Sequence, residues 1–342
     1  MFLSSRKLHK EDIRYGYATG RIRMLENKLI DRVVFERMIE AETPGAVTQL
    51  IENKYGHLSL NSENLKICSD FESILGNEFY KFYCIIEELA CDKDIVDLFF
   101  SRYMFHNIKV LIKSKYLGEE AMEMIYFNVG PIHFPGLRDI VLNSHKDHPV
   151  TYIKEKVEAK FIQSGNNPQI IDIMLDQEYF EWIKNLAKKI NLPVIDELIK
   201  IWIDLANIKN LFRMIWLDKE LELLKEITFT GGNIEKEQYI DFYISKNWTR
   251  LNDIFKYTPY KALIQKGIES LKTESLSDLE RSIDVYTIKW LMDSKYIVFG
   301  VEPLLYFILC KEYEIRLLRI ILLSKIYNIT PEMIRRQIGE IL

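Results

Sequence analysis

The sequence predicts an all-α protein built from three similar units. Two observations carry this. The long segments have apolar residues at three- and four-residue spacing, with no convincing run of alternating strand pattern. One helical segment also recurs, as Phe105-His106-Asn107-Ile108-Lys109, Leu205-Ala206-Asn207-Ile208-Lys209 and Tyr313-Glu314-Ile315-Arg316. With Asn107, Asn207 and Glu314 in register, the copies stand 100 and 107 residues apart. A chain of 342 residues exceeds what one core usually holds. Units of residues 1–118, 119–230 and 231–342 fit both the spacing and the usual size of a domain.

The elements follow in order. The first unit begins with a shorter helical element, Phe35 to Ile39, then Ala46-Val47 and Leu50-Ile51, ending at Tyr55. Its long helix carries Leu98, Phe105, Ile108 and Ile112, with Arg102 where the second copy has Trp202. In the second unit Leu198, Ile201, Leu205, Ile208, Phe212 and Ile215 form one apolar stripe behind Pro193, a residue tolerated at a helix start. The third unit echoes the first with Tyr239-Ile240, Phe242, Leu251, Ile254-Phe255 and Tyr257. Ser277-Asp278-Leu279-Glu280 has capping-box spacing and predicts a helix start. Pro303 opens the last long helix, with Leu305, Ile308, Ile315, Leu318 and Leu322 along it. Asn61-Ser62, Asn143-Ser144, Gly165-Asn166-Asn167-Pro168 and Gly231-Gly232 are breaks, and unit boundaries fall near Gly118 and Gly231.

Composition excludes several functions. A net charge of −4 gives no basic surplus for nucleic acid. The longest charge-free run, Met124 to Leu137, is 14 residues and is broken by Gly130, Pro131, Pro135 and Gly136, too short to span a bilayer. The start has no apolar secretory core. Cys68, Cys84, Cys91 and Cys310 form no C-x-x-C and read as reduced core residues of a cytoplasmic protein. The five tryptophans and many tyrosines read as core.

Chemistry-bearing patterns are sparse. There is no phosphate-binding G-x-x-x-x-G-K-[ST], no G-x-S-x-G elbow and no Asp-Asp pair to carry magnesium against a diphosphate. His145-x-x-His148 with Asp147 has ligand-like spacing, but lies in a polar loop with no H-E-x-x-H and no cysteine partner nearby. His106 is Ala206 and Tyr313 in the other copies, which makes it a local choice. Asn107 and Asn207 either face a shared axis as a polar ring or hydrogen-bond a neighbouring loop, the second being favoured. Glu312 and Arg316 form a surface pair in the favourable i,i+4 order. No catalytic, cofactor-binding or metal residue is expected.

The last unit carries a specific pattern: Gly300-x-x-Pro303, Tyr306, Lys311-Glu312-x-Glu314-Ile315, Leu318-Arg319 and Lys325. It resembles the C-terminal pattern of the C subunits of V/A-type (vacuolar/archaeal-type) ATPases and ATP synthases, which are related to the d subunit of the vacuolar ATPase. Tyr15-x-Tyr17-Ala18 with Arg21-x-Arg23 resembles the start of that family. Leu175-Asp176-x-x-Tyr179-Phe180 and Asn207-Ile208-Lys209 resemble its middle unit. Leu317 and Gly20 depart from it, where asparagine and alanine are usual. The resemblance implies a non-catalytic funnel of three helical units around a pseudo-threefold axis. Such a protein binds no cofactor. It is peripheral on the cytoplasmic face of the membrane and a monomer within its complex. Its partners are the central-stalk subunits and the membrane rotor ring, and it couples the two during ATP-driven proton or sodium transport or ATP synthesis. Arg21, Arg23 and Arg102 are the candidate partner contacts. The competing readings are a free-standing helical-repeat adaptor and an unrecognised helical enzyme.

Overall fold

The computed structural model describes residues 4–55, 67–117, 126–143, 148–273 and 275–339. Regular structure among them is helical, with no strand. The chain divides into two compact units, residues 92–264 and a second formed by residues 3–91 with 265–342.

In the unit of residues 92–264 the long helices are α5 (Lys93–Leu117), α8 (Pro168–Ile190) and α9 (Pro193–Trp216). The shorter ones are α6 (Phe134–Asn143), α7 (Pro149–Gln163), α10 (Leu221–Ile227), α11 (Lys236–Ser245) and α12 (Trp248–Phe255). Proline occupies the first turn of α7, α8 and α9, where its missing N–H has no intrahelical partner to lose. Asn167 caps α8 by accepting from Gln169 N at 3.0 Å. Asn191 ends α8 in the left-handed region, φ 53°, so that α9 folds back along α8. α8 packs against α5, α7 and α9. Met104, Phe105 and Ile108 of α5 meet Leu137 of α6, Val157 and Phe161 of α7 and Ile171 and Leu175 of α8 in one core.

In the other unit α1 (Gly16–Glu26), α2 (Arg32–Glu40), α3 (Pro44–Tyr55) and α4 (Ile67–Leu89) come from the N-terminal part. Helices α14 (Ser277–Leu291), α15 (Glu302–Ile326) and α16 (Pro331–Ile338) come from the C-terminal part. Helix α13 (Lys261–Lys272) runs across the boundary between the units. Helix α15 is the centre of its unit and packs against α1, α3, α4, α14 and α16. Its Leu317, Leu318, Ile321 and Leu322 share a core with Phe35, Met38 and Ile39 of α2, Val47 and Ile51 of α3, and Ile334 of α16. Arg319 forks onto Glu72 of α4, Nε and Nη2 each at 3.0 Å.

Several sequence expectations are corrected. α9 buries more than one stripe, because Ile203, Asp204, Asn207, Leu211 and Met214 are enclosed as well, as in a helix with neighbours on several sides. α14 does start at Ser277, but Leu276 holds the cap position and no side chain caps the helix, so the capping box does not form. Cys84 and Cys91 are exposed rather than core, Cys310 is half-buried, and the side chain of Cys68 lies outside the described residues. Trp216 and Trp248 are partly exposed, and Tyr257 is 86% exposed beyond the end of α12. Arg316 pairs with Asp284 at 2.6 Å instead of Glu312. The side chain of Tyr55, the break at Asn61-Ser62, and His145 and Asp147 lie outside the described residues, as does the boundary at Gly118. His148 is the N-cap of α7, its Nδ1 accepting from Val150 N at 3.2 Å.

Candidate functional site

The recurring polar residues of the long helices make one repeated contact. Asn107 on α5 donates from Nδ2 to the Phe127 carbonyl at 2.6 Å and accepts from Phe127 N at 2.9 Å. Asn207 on α9 does the same with Phe229, at 2.9 and 2.8 Å. Both asparagines are buried, so each satisfies two backbone groups that would otherwise be stranded. A glycine follows each phenylalanine by three residues and lets the loop close on its helix. A Cβ on Gly130 would stand 3.0 Å from the Phe100 carbonyl oxygen, and one on Gly232 would collide with Asp204 Oδ1. The favoured reading of the asparagines, a bond to a neighbouring loop, is therefore what the structure contains. Gly231-Gly232 lies in a bend, with Gly231 at φ 97°.

The third register position differs in chemistry. Glu314, buried on α15, accepts from Ile30 N at 2.5 Å and pairs with Lys311 at 2.5 Å. Ile30 stands in the loop before α2, as Phe127 stands before α6 and Phe229 before α11. All three loops are therefore held by the same register position of a long helix. Two are held by a long helix earlier in the chain, α5 for Phe127 and α9, with α10 between, for Phe229, and the first by α15 near the other end.

Asp204 adds a further anchor behind the Phe229 loop. It is fully buried and accepts from Ile234 N at 3.1 Å, Asn233 N at 3.0 Å and Tyr260 Oη at 2.9 Å. Burial pushes its carboxyl up to about 6, against the hydrogen bonds that favour the charged form.

The residues that carried the sequence resemblance mostly act as internal ties. Gly300 sits where a Cβ would collide with Glu302 Oε2, and Glu302 shares a hydrogen bond with His9 Nδ1 at 2.9 Å. Lys325 donates to the Ile39 carbonyl at 2.5 Å. Asp176 pairs with Lys109 at 2.5 Å, Tyr179 meets Phe105 edge-on, and Phe180 lies on Phe229 with ring centroids 4.3 Å apart.

Arg21 and Arg23 both lie on α1. Arg21 donates to Tyr17 Oη at 3.0 Å and to Glu88 at 3.1 Å. Arg23 holds both oxygens of Glu26 and the carbonyls of Ser294 and Ile297. Arg102, on α5, is exposed and lies over the Tyr103 ring at 5.0 Å.

A cavity of about 250 Å³ is lined by Lys156, Glu178, Phe180, Glu181, Lys184 and Lys236 among others, with no serine, cysteine or histidine. Lys156 pairs with Glu178, Lys184 with Glu181, and Lys236 donates to the Lys225 carbonyl. Burial pushes the Cys310 thiol up to about 12, which disfavours a nucleophilic thiolate. Among the described residues no group of three or more His, Cys, Asp or Glu could hold a metal ion, and no helix is long and apolar enough to cross a membrane.

A profile of the ATP synthase (C/AC39) subunit family matches residues 18–337. The chain belongs to this family. Among curated relatives, the C subunit of the V-type sodium ATPase of Enterococcus hirae is 25% identical over 324 residues, covering 94% of this chain and 96% of the relative. The C subunit of the A-type ATP synthase of Methanocaldococcus jannaschii is 26% identical over 342 residues, covering 94% of this chain and 85% of the relative. A third, from the A-type ATP synthase of Methanococcoides burtonii, is 23% identical over 355 residues, 98% of this chain and 97% of the relative. The V/A-type resemblance read from the Gly300–Lys325 pattern is thus correct, and the protein is a C/AC39-type subunit of a rotary ATPase.

Proposed function

We propose that this C/AC39 protein is a non-catalytic rotor subunit, a socket on the cytoplasmic side of the membrane. It couples the central stalk to the membrane rotor ring of a V/A-type ATPase or ATP synthase. The observation that carries the proposal is the family match over residues 18–337, nearly the whole chain. Torque transfer asks for stiffness rather than a nucleophile, and the buried ties along α5, α9 and α15 supply stiffness.

The three-unit form, residues 1–118, 119–230 and 231–342, belongs to the same proposal. Its support is the recurring order of two short helices followed by long ones, as in α2–α5 and α6–α9, together with the clamp at Asn107, Asn207 and Glu314. In this arrangement Glu314–Ile30 is the third copy of one joint, made between the two ends of the chain. Arg21, Arg23 and Arg102 are the proposed partner contacts, with Arg23 reaching a partner only by releasing internal bonds.

The test is gel filtration of the purified chain with and without the two central-stalk subunits of its own organism. Co-elution as one stoichiometric complex is expected. Separate elution of folded proteins, in the presence of the rotor ring as well, would favour a free-standing helical adaptor. ATP cleavage by the chain alone, lost on changing one carboxylate, would overturn the non-catalytic assignment.

A further inference from the structure

One face of the unit formed by residues 3–91 and 265–342 has an unusual surface chemistry. Helix α1 and the turn before it direct Tyr15, Ala18, Thr19 and Ile22 inward. The outer side carries Ile13 just before the helix, then Tyr17 and Met24, which are 74%, 67% and 70% exposed. Between them a Cβ on Gly20 would meet only open space. The loop at residues 296–299 lies alongside, because Asp12 N donates to the Phe299 carbonyl at 3.3 Å and Gly16 packs on the Phe299 ring. That loop adds exposed Tyr296, Val298 and Phe299.

The charges around these residues are mainly positive. Residues 1–28 contain seven lysines and arginines against three carboxylates, in a chain whose net charge is −4. Arg6, Lys7 and Lys295 are exposed and form no ion pair among the described residues. Lys10 stands near Asp12, a carboxylate already held by Arg14. Two cations lie against aromatic rings, Arg21 6.0 Å from the Tyr17 centroid and Lys295 5.2 Å from that of Tyr296. Glu11 and Asp293 are the exposed carboxylates in the same segments, and exposed Glu88 of α4 pairs with Arg21 at 3.1 Å.

We propose that this face docks onto an anionic lipid surface, with the apolar and aromatic side chains at headgroup depth and Arg6, Lys7, Lys10 and Lys295 on the phosphates. The composition carries the choice. Aromatic rings beside basic residues are what a membrane interface selects, since a ring with an apolar body tolerates the headgroup layer and a long cationic side chain reaches the phosphates. Each lysine or arginine near an anionic surface contributes about 1 kcal/mol, falling off within a Debye length. The proposal goes beyond the socket reading and does not rest on it, because a pure vesicle contains neither stalk nor ring.

The experiment is co-sedimentation of the full chain with phosphatidylcholine vesicles, with and without phosphatidylserine. The expected result is partition onto the phosphatidylserine vesicles only, weakened by salt. The double variant K10E/K295E should partition about tenfold more weakly or worse. Y17S/M24S should also lose binding, while Y257S, an exposed tyrosine in the other unit, should leave it unchanged. Absence of binding to anionic vesicles by the folded protein would overturn the proposal. So would equal binding by K10E/K295E, and either result would leave this face to a protein partner.

Discussion

Asn207 holds the Phe229 loop by two hydrogen bonds, its carboxamide donating one and accepting the other. An alanine there strands the N–H and carbonyl of half-buried Phe229, each costing up to about 1–3 kcal/mol. Asn207→Ala is therefore expected to lower stability by roughly 2–4 kcal/mol in urea denaturation, with Asn107→Ala similar. A loss below about half a kcal/mol in both would show that the loops are held by something else. Asp204 gives a pH signature. Its folded carboxyl titrates near 6, above the ordinary unfolded value, so the folded state binds the proton more tightly. Its contribution to stability is greatest below the unfolded value, falls as pH rises toward about 6, and is constant above that. The span is on the order of 2–3 kcal/mol. Stability curves of the wild type and Asp204→Asn should diverge across this window and run parallel above it.

At the scale of elements, α15 depends on a buried charge at Glu314. Glu314→Leu removes both the acceptor of Ile30 N and the carboxylate beside Lys311. The expected loss is about 3–5 kcal/mol, typical of breaking a buried pair. Glu314→Gln retains an acceptor and should cost measurably less in the same urea titration. An equal loss from both variants would mean that charge, rather than the bond to Ile30, secures the joint. The loop glycine before α11 has its own constraint. Gly232→Ala would press a methyl against Asp204, and the strain should cost about 1–3 kcal/mol, read as a lower thermal midpoint.

At the scale of the molecule, the core shared by α2, α3, α15 and α16 makes the N-terminal residues depend on the C-terminal ones. A fragment of residues 92–264 is expected to unfold cooperatively by itself, since its core is completed within it. A fragment of residues 1–91 lacks α15 and should show no cooperative transition in circular dichroism. A cooperative transition there would show that α1–α4 need no partner from the C-terminal end.

The sequence alone determined the helical class, the position of α5, α9 and α15 and the register of Asn107, Asn207 and Glu314, but not the comparably long α4 and α8. Helical periodicity and proline at helix starts are local properties, and a residue that repeats one chemical task leaves a spacing in the chain. The C-terminal pattern was legible as a resemblance to a family, and in the structure its Gly300, Glu314 and Lys325 each meet a fixed neighbour. Only the tertiary structure decided what those residues touch. Nothing local in Glu314 indicates that it binds Ile30, 284 residues away. The burial of Asp204 and the exposure of Cys84 and Tyr257 depend equally on which helices arrive from elsewhere in the chain. Local propensity and spacing are written along the sequence, whereas burial and long-range hydrogen bonds are set by distant segments that the fold brings together.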